Sequence, residues 1–572
     1  MVPDLDRQPQ RRARGELSGI RIVHVNNIAN VAWTLAQAQR RLGHEAIVVT
    51  LQASAYGLPE DLRIPSVPGP LGWNVSMFSR WRTFADFDVV HVHGGIWRSQ
   101  LFYPLFKRRH RWKTLAVHFH GSETRTGKGL HHFGSIDVKF RSTPDLARWV
   151  PASLWIPNPI ELPVLPPEPE NPVPRFGHFP TRPDQKGTAR ILEVFRSVFG
   201  SGEESLRDGI RIFRGSEAEL WIVTGRPHDE ALKIMSRCDA VIDQISPYES
   251  YGMVGIEGMA FAKPVFSTLR LESFPECPVL PLEADETADH LRSVARDRDF
   301  RRKRGAAARA YIERVHDSAN VARLVLRAYY ESQRLPAFTS SQAASYWRRR
   351  GASYAGEIES RKAAPVYAAQ TEEILDRLGD LSFSSVLEVG CGFGRIGSAV
   401  IERYGKPWVG LDLSRAQLAE ARRRGDRLRS HLVEGSATSL PLRNESFDLV
   451  LAVEMLMHIP PEDIRRALGE LLRVSRCHVV HVDWFEDYLA GFQTGWCWVH
   501  DYSRLWTELG ATATVIPLES ERLQRAFVIS RVLPSTKPNS SGPGPAARLT
   551  APASGGQGTH RRPPRFRHPR RL

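Results

Sequence analysis

Val386-Leu-Glu388-Val-Gly390-Cys-Gly392-Phe-Gly394-Arg-Ile-Gly397 is the stretch on which the fold class turns. Ser385–Val389 is a short apolar run of the kind that forms a buried parallel strand, and it breaks into a turn with glycine at alternate positions. Glycine lets the backbone approach a ligand without a Cβ in the way. Helical spacing resumes behind the turn, so the order is strand, turn, helix. Glu388 stands two residues before the first glycine. About one βα unit later, in Val409-Gly-Leu-Asp412-Leu-Ser, Asp412 ends a second strand, where a carboxylate can take both hydroxyls of a ribose. The G-x-G-x-G spacing alone also fits a dinucleotide site.

The alternation continues in both directions. A helix is expected over Gln370–Leu378, and strands over Trp408–Leu411, Phe447–Val453 and His478–Val482. Upstream, Arg21–Val25, Glu45–Leu51, Asp88–His93 and Thr114–His120 read as strands, with a helix over Ala29–Leu42 ended by Gly43. A proline-dense segment, Pro157–Pro174, separates these from a second set: Arg175–Phe179, Glu219–Thr224, Ala240–Gln244 and Pro264–Ser267. A long Arg/Ala-rich helical pattern covers Asp299–Arg334. The division expected is a flexible lead-in (1–18), α/β units over 19–158 and 159–335, a linker (336–342), a third α/β unit (343–533) and a disordered basic tail (534–572).

VLEVGCGFGRIG followed by VGLDLS resembles the class I methyltransferases that use S-adenosyl-L-methionine. The resemblance implies a cofactor site at Glu388, Gly390, Gly392, Gly394 and Asp412. His431-Leu-Val-Glu-Gly-Ser436-Ala437 resembles the loop that reads the adenine, with Ser436 standing where relatives usually have aspartate, a neutral and weaker partner. Phe447–His458 resembles the strand that follows. An acceptor hydroxyl needs a base, for which His458, His481, Asp483 and His500 are candidates; His500, in an aromatic segment beyond the last confident core strand, is preferred. The aromatic and basic run from Tyr346 to Tyr367 is either a cap over the acceptor pocket or a packing helix.

Glu249-Ser-Tyr-Gly252-Met-Val-Gly-Ile-Glu257 brackets a strand-to-helix turn whose free N–H groups and positive dipole end suit a phosphate. It resembles the E-x7-E motif of retaining GT4-type glycosyltransferases of the GT-B fold. His178-Phe-Pro-Thr-Arg182-Pro-Asp-Gln-Lys186 resembles their Arg/Lys grip on the donor diphosphate, two cations that stabilise the leaving group. Val117-His-Phe-His120-Gly resembles the strand end whose histidine contacts the donor sugar, and Trp155-Ile-Pro-Asn-Pro resembles the interdomain segment. The resemblance covers about 19–335 and implies two Rossmann-like domains, roles for His120 and Glu249 at the sugar, for Arg182, Lys186 and Gly252 at the diphosphate and for Glu257 at the ribose, and no metal. Asn26-Asn-Ile-Ala-Asn30 replaces the usual glycine-rich acceptor loop; asparagine tolerates left-handed geometry. His91 and His93 share a strand face and pose a metal question, answered in the negative because no third and fourth ligand are apparent. His118 is expected on the face opposite His120, as packing.

The chain has 572 residues, 42% of them hydrophobic and 25% charged, ordinary for globular units that bury their own cores. Its five cysteines form no C-x-x-C pair, which argues against a disulfide framework or a zinc knuckle. No apolar run approaches the length of a membrane span, and the first residues lack the apolar core of a secretory signal. The net charge is +15, and Lys537–Leu572 carries eight Lys/Arg and no acid, so about half of the excess is a tail and nucleic acid is not an expected partner. The expectation is a cytoplasmic two-enzyme fusion. A nucleotide-diphosphate sugar is the donor for a glycan or lipid-linked acceptor, and S-adenosyl-L-methionine is the donor for O-methylation in envelope or exopolysaccharide assembly. The basic tail can draw it to the inner face of an anionic membrane. The rival readings are a methyltransferase with a non-catalytic sugar-binding module, and a pair of enzymes modifying a lipid or natural-product scaffold.

Overall fold

A computed structural model describes residues 19–530 apart from 53–56, 70, 95–100, 126–135, 249, 271–272, 275, 334–338, 361–362, 425–430, 486–488, 495 and 522–523. The expected lead-in, the tail and Glu249 lie outside the described residues.

The uninterrupted apolar runs of the first unit become the centre of a wholly parallel sheet, because only strands covered on both faces tolerate such runs. Its strands are β1 (Arg21–Val25), β2 (Glu45–Thr50), β3 (Leu62–Arg63), β4 (Val89–His93), β5 (Thr114–Phe119), β6 (Val138–Arg141) and β7 (Leu154–Trp155), in the order β3-β2-β1-β4-β5-β6-β7. The order reverses between β1 and β4, the switch point where a doubly wound sheet opens a crevice. The loop after β1 uses the left-handed region at Asn26, Ala29 and Asn30, with φ of 68, 51 and 62°, so the two asparagines stand in for glycine as the entrance to helix Val31–Arg41.

The second sheet contains β8 (Arg175–His178), β9 (Glu203–Arg207), β10 (Ile210–Arg214), β11 (Glu219–Ile222), β12 (Ala240–Gln244), β13 (Val265–Ser267) and β14 (Leu280–Pro281), ordered β14-β13-β12-β8-β11-β10-β9. β9 and β10 form an antiparallel hairpin that the pattern of helices and strands left out. Its Asp208-Gly209 turn has both residues at positive φ, 51 and 73°, the geometry an Asp-Gly pair favours in two-residue hairpins.

The expected single helix over Asp299–Arg334 is two helices, Arg298–Val315 and Ser318–Ser332. His316 ends the first, and Asp317 caps the second by accepting from the N–H groups of Ala319 and Asn320. There Ile160, on the outgoing crossing between the halves, pairs with Asp317 on the return crossing. His316 fastens the same point, with Nδ1 2.8 Å from the Asn158 carbonyl and Nε2 2.9 Å from the Tyr251 hydroxyl. Helix Ser318–Ser332 then packs back on the first sheet beside Val31–Arg41.

The third sheet is built from β15 (Val386–Val389), β16 (Trp408–Asp412), β17 (Leu432–Glu434), β18 (Phe447–Val453) and β19 (Ser475–Trp484); after a small ribbon of β20 (Gln493–Thr494) and β21 (Cys497–Trp498) come β22 (Thr514–Pro517) and β23 (Gln524–Ser530). The order is β17-β16-β15-β18-β19-β23-β22, with β23 antiparallel to β19 and β22 antiparallel to β23. The expected linker 336–342 is shorter than that range, since helix Ser340–Ile358 starts inside it on a capping box of Thr339 and Gln342. No helix among the described residues is long and apolar enough to cross a membrane.

One apolar core runs from the first sheet through Ser318–Ser332 into the third unit. Tyr330 is the joint, with its ring edge-on to Trp484 and Phe492 at centroid distances of 5.5 and 5.8 Å. Tyr330→Ala should therefore destabilise the chain by about 3 kcal/mol through the cavity it leaves, whereas Tyr330→Phe keeps the ring and most of the stability. Denaturant unfolding of the two variants measures the difference; equal midpoints would refute the joint.

Candidate active site of the third unit

A cavity of about 420 Å³ opens at the C-terminal ends of β15, β16 and β18. Glu388, Gly390, Gly392, Asp412, Ser436 and Ala437, six residues expected at a cofactor, all line it. Gly394 does not line it; with φ of 84° it is the left-handed N-cap of helix Arg395–Tyr404. Gly390 has φ of 77°, and a Cβ there would run into the Met455 side chain, so the turn admits only glycine.

Asp412 holds the turn in place. One carboxylate oxygen accepts the Gly392 N–H at 2.9 Å and the other the Ser414 N–H at 2.7 Å, while burial pushes its pKa up. Glu388 lies deeper. It accepts the Trp408 indole N–H at 3.0 Å, and burial raises its pKa to about 8, so it carries a proton near neutrality. Ser436 hydrogen-bonds Thr438 at 2.8 Å, which turns its hydroxyl into its own loop.

Glu454, at the end of β18, was not among the expected site residues. It lines the cavity with φ of 53°, a strained value for a non-glycine residue, and accepts from Gln370 Nε2 at 3.0 Å and from Gln524 Nε2. Arg395 stands 3.8 Å away. Only the tertiary fold assembles this polar knot, because Gln370 and Gln524 come from opposite ends of the unit.

The preferred base changes. His500 is not on the cavity wall; its Nε2 is tied to the Ile459 carbonyl at 2.9 Å. His458 is on the wall. Its Nδ1 lies 3.2 Å from the Trp496 carbonyl, which assigns the proton to Nδ1 and leaves Nε2 with its lone pair and no partner. Burial lowers its pKa to about 4, so the ring is neutral. Trp347 of helix Ser340–Ile358 covers it, ring centroids 4.3 Å apart, and Ser340, Ala344, Trp347 and Tyr354 of that helix line the cavity. The first part of the aromatic run thus covers this cavity. His481 and Asp483 are core struts: His481 Nδ1 is 2.9 Å from Asp483, the Trp506 indole donates to His481 Nε2, and Asp483 accepts the Met457 N–H at 3.0 Å, anchoring the turn that carries His458.

In the front half, Lys186 donates to Gln244 and lies beside Gly252, the N-cap of helix Met253–Ala260. The N-cap N–H is already engaged, as Asp243 accepts it from Gly252 at 2.6 Å. Glu257, in the second turn, is paired with His228 at 2.7 Å, a contact that raises the imidazole's pKa. Arg182 is exposed on the loop before Lys186. The halves meet where the Arg125 guanidinium stands 4.1 Å over the Tyr248 ring.

His120 is buried, with Nε2 3.4 Å from His93 Nδ1 and its ring stacked on His118 at 4.4 Å. His118 therefore shares the face of His120, as residues two apart on a strand must. The absence of further ligands near His91 and His93 is also overturned: His24, His118 and His120 converge on them, all buried. Burial keeps these rings neutral, with His24 and His120 lowered to about 4 and the other three well below their ordinary value.

Residues 386–477 match the family model described as "Methyltransferase domain". Methyltransferase GfsG of Streptomyces halstedii is 34% identical over 113 residues, 18% of this chain and 39% of that protein. The phthiotriol/phenolphthiotriol dimycocerosates methyltransferase 1 of Mycobacterium ulcerans is 41% identical over 99 residues, 17% of this chain and 35% of that protein. The chain thus spans under two fifths of the length of these curated relatives. A solved α-glucosyltransferase in complex with UDP-glucose and DNA superposes with a TM-score of 0.42 at 11% identity, over 55% of this chain and all of its own; at that similarity it carries no weight for function. The C-terminal region carries a methyltransferase domain.

Glu388 makes stability pH-dependent. Its folded pKa of about 8 lies above the ordinary 4.5, so its contribution is full below about pH 4.5 and is lost as pH rises through 8. Glu388→Gln keeps an acceptor for Trp408 without the charge and should lose less stability than the parent between pH 6 and 9. Parallel losses in denaturant titrations would assign the decline to other groups.

Proposed function

We propose that the third unit transfers a methyl group from S-adenosyl-L-methionine to a substrate hydroxyl and that the front half binds a nucleotide-diphosphate sugar for glycosyl transfer. The observation that carries the first part is the cavity itself, in which a glycine-only turn, a carboxylate at the end of β16 and a capped histidine come together. The residues fit the cofactor. Gly390 and Gly392 would leave room for its amino-acid portion, Asp412 would take its ribose hydroxyls, and Ser436 and Ala437 would hold its adenine. Bound there, the cofactor supplies an electrophilic methyl group. His458, on the cavity wall with an unpartnered Nε2, is the base for the acceptor hydroxyl in this reading, and the anchoring of Met457 by Asp483 sets its position.

The second part rests on Lys186 and Glu257, placed beside and within one helix N-terminal region. A specific observation favours the rival reading, a sugar-binding module without turnover: Asp243 already accepts the Gly252 N–H that a diphosphate would need. Envelope or exopolysaccharide glycans, lipid-linked or free, are the acceptor class we propose, with a cytoplasmic setting and peripheral attachment to an anionic membrane.

Asp412→Ala should abolish S-adenosyl-L-methionine binding in calorimetry. His458→Gln should keep binding and lower turnover by about a hundredfold or more, with His500→Ala unchanged. If His500→Ala is the slow variant instead, the base assignment is wrong. For the front half, UDP-, GDP- and TDP-sugars are screened by thermal shift and donor hydrolysis. Stabilisation by one of them, lost in Lys186→Ala, with release of nucleoside diphosphate, is the expected result. Binding without release selects the non-catalytic module.

A further inference from the structure

We propose that His93, His118 and His120 form a binding site for a late first-row divalent cation, zinc foremost, under the first sheet's C-terminal edge. Their ligand atoms lie within 4.8 Å of one another and all three rings are buried. Two imidazole nitrogens on a tetrahedral zinc, each about 2.0–2.1 Å from the metal, stand about 3.3–3.4 Å apart. His93 Nδ1 and His120 Nε2 are 3.4 Å apart, a poor hydrogen bond and a good ligand pair.

The proton positions follow from the neighbours. Gln39 Oε1 accepts from His24 Nε2 at 2.8 Å, which leaves His24 Nδ1 as an acceptor. His93 Nε2, 2.9 Å from that atom, must be the donor. The other nitrogen of His93, Nδ1, is therefore bare and aimed at His120. A ligating histidine whose second nitrogen donates to an oriented partner is the usual outer support of a metal site. His118 is the second, independent sign: neither of its nitrogens has a hydrogen-bond partner, although the residue is fully buried. Leaving such a group unmatched is costly, and coordination satisfies it. Three neutral imidazoles with no carboxylate select zinc, copper or nickel over magnesium or calcium. The fourth position falls to water, because His24 and His91 lie outside the group of three whose ligand atoms are within 4.8 Å of one another.

The test uses the full chain, stripped with a chelator and titrated with Zn²⁺ and Co²⁺. Stoichiometric metal that survives gel filtration is expected, with the intense ligand-field bands of four-coordinate cobalt and a raised melting temperature. His118→Phe should lose all three while the stripped protein melts no lower than its parent, because an unmatched polar group is gone. His110→Gln, a histidine outside the cluster, should change nothing. If a variant fails to fold, X-ray absorption on the zinc-loaded parent decides, with three imidazoles expected in its first shell. No retained metal, equal binding by His118→Phe, or fewer than two imidazoles would overturn the site. None of these readouts depends on sugar or methyl transfer.

Discussion

Helix Ser318–Ser332 has to bury apolar side chains in two directions at once, and the arrangement of the three units depends on that. Successive residues of an α-helix point about 100° apart. Tyr329 therefore turns to the first sheet, its hydroxyl 2.6 Å from His91 Nδ1, while Tyr330 turns to Trp484 and Phe492 of the third unit. The helix starts where Asp317 pairs with Ile160, so the same element also fixes both crossings between the front halves. A proline-dense segment and a two-residue helix break look like slack in the chain; together they pin the crossing.

Around the candidate methyl-transfer cavity, the organising force is the cost of burying carboxyl groups. Glu388, Glu454 and Asp483 are buried, and burial pushes Glu388 and Asp483 toward their protonated forms. Each is held by specific donors: an indole N–H, two glutamine amides, a backbone N–H and a histidine. Glu388 and Glu454 line the cavity, and acids there favour a cationic ligand, whose positive charge would draw Glu388 back toward its ionised form. S-adenosyl-L-methionine is cationic at its sulfonium and ammonium centres. The left-handed Glu454 belongs to the same logic, as a strained backbone is kept where the side chain has to reach a particular point.

What was legible in the sequence was local. The parallel strands, the glycine turn and the carboxylate ending β16 are each written within a dozen residues, and the structure places them where periodicity and turn chemistry predict. The Asp208-Gly209 hairpin was equally legible and was passed over, because the expectation of alternating helices absorbed it. The rest depended on register. His24 lies opposite His91, and His93 opposite His118, only because three separate strands align as they do. His118 and His120 share a face by strand geometry alone, a plain misreading of period two. The choice between His458 and His500 was not local either: it turned on which of the two rings folding brings to the cavity wall.

A continuous core constrains how two activities would cooperate. Fused enzymes on a flexible tether gain from effective concentration whatever their orientation, provided the linker can span the sites. Here the core is continuous through Tyr330, and helix Ser340–Ile358, which caps the methyl-transfer cavity, begins a few residues after the crossover helix ends. The front half and the third unit are thereby held in one orientation. A shared acceptor must then be long enough to reach both sites, or must leave one before entering the other. An extended glycan or lipid-linked chain meets the first condition and a compact scaffold only the second.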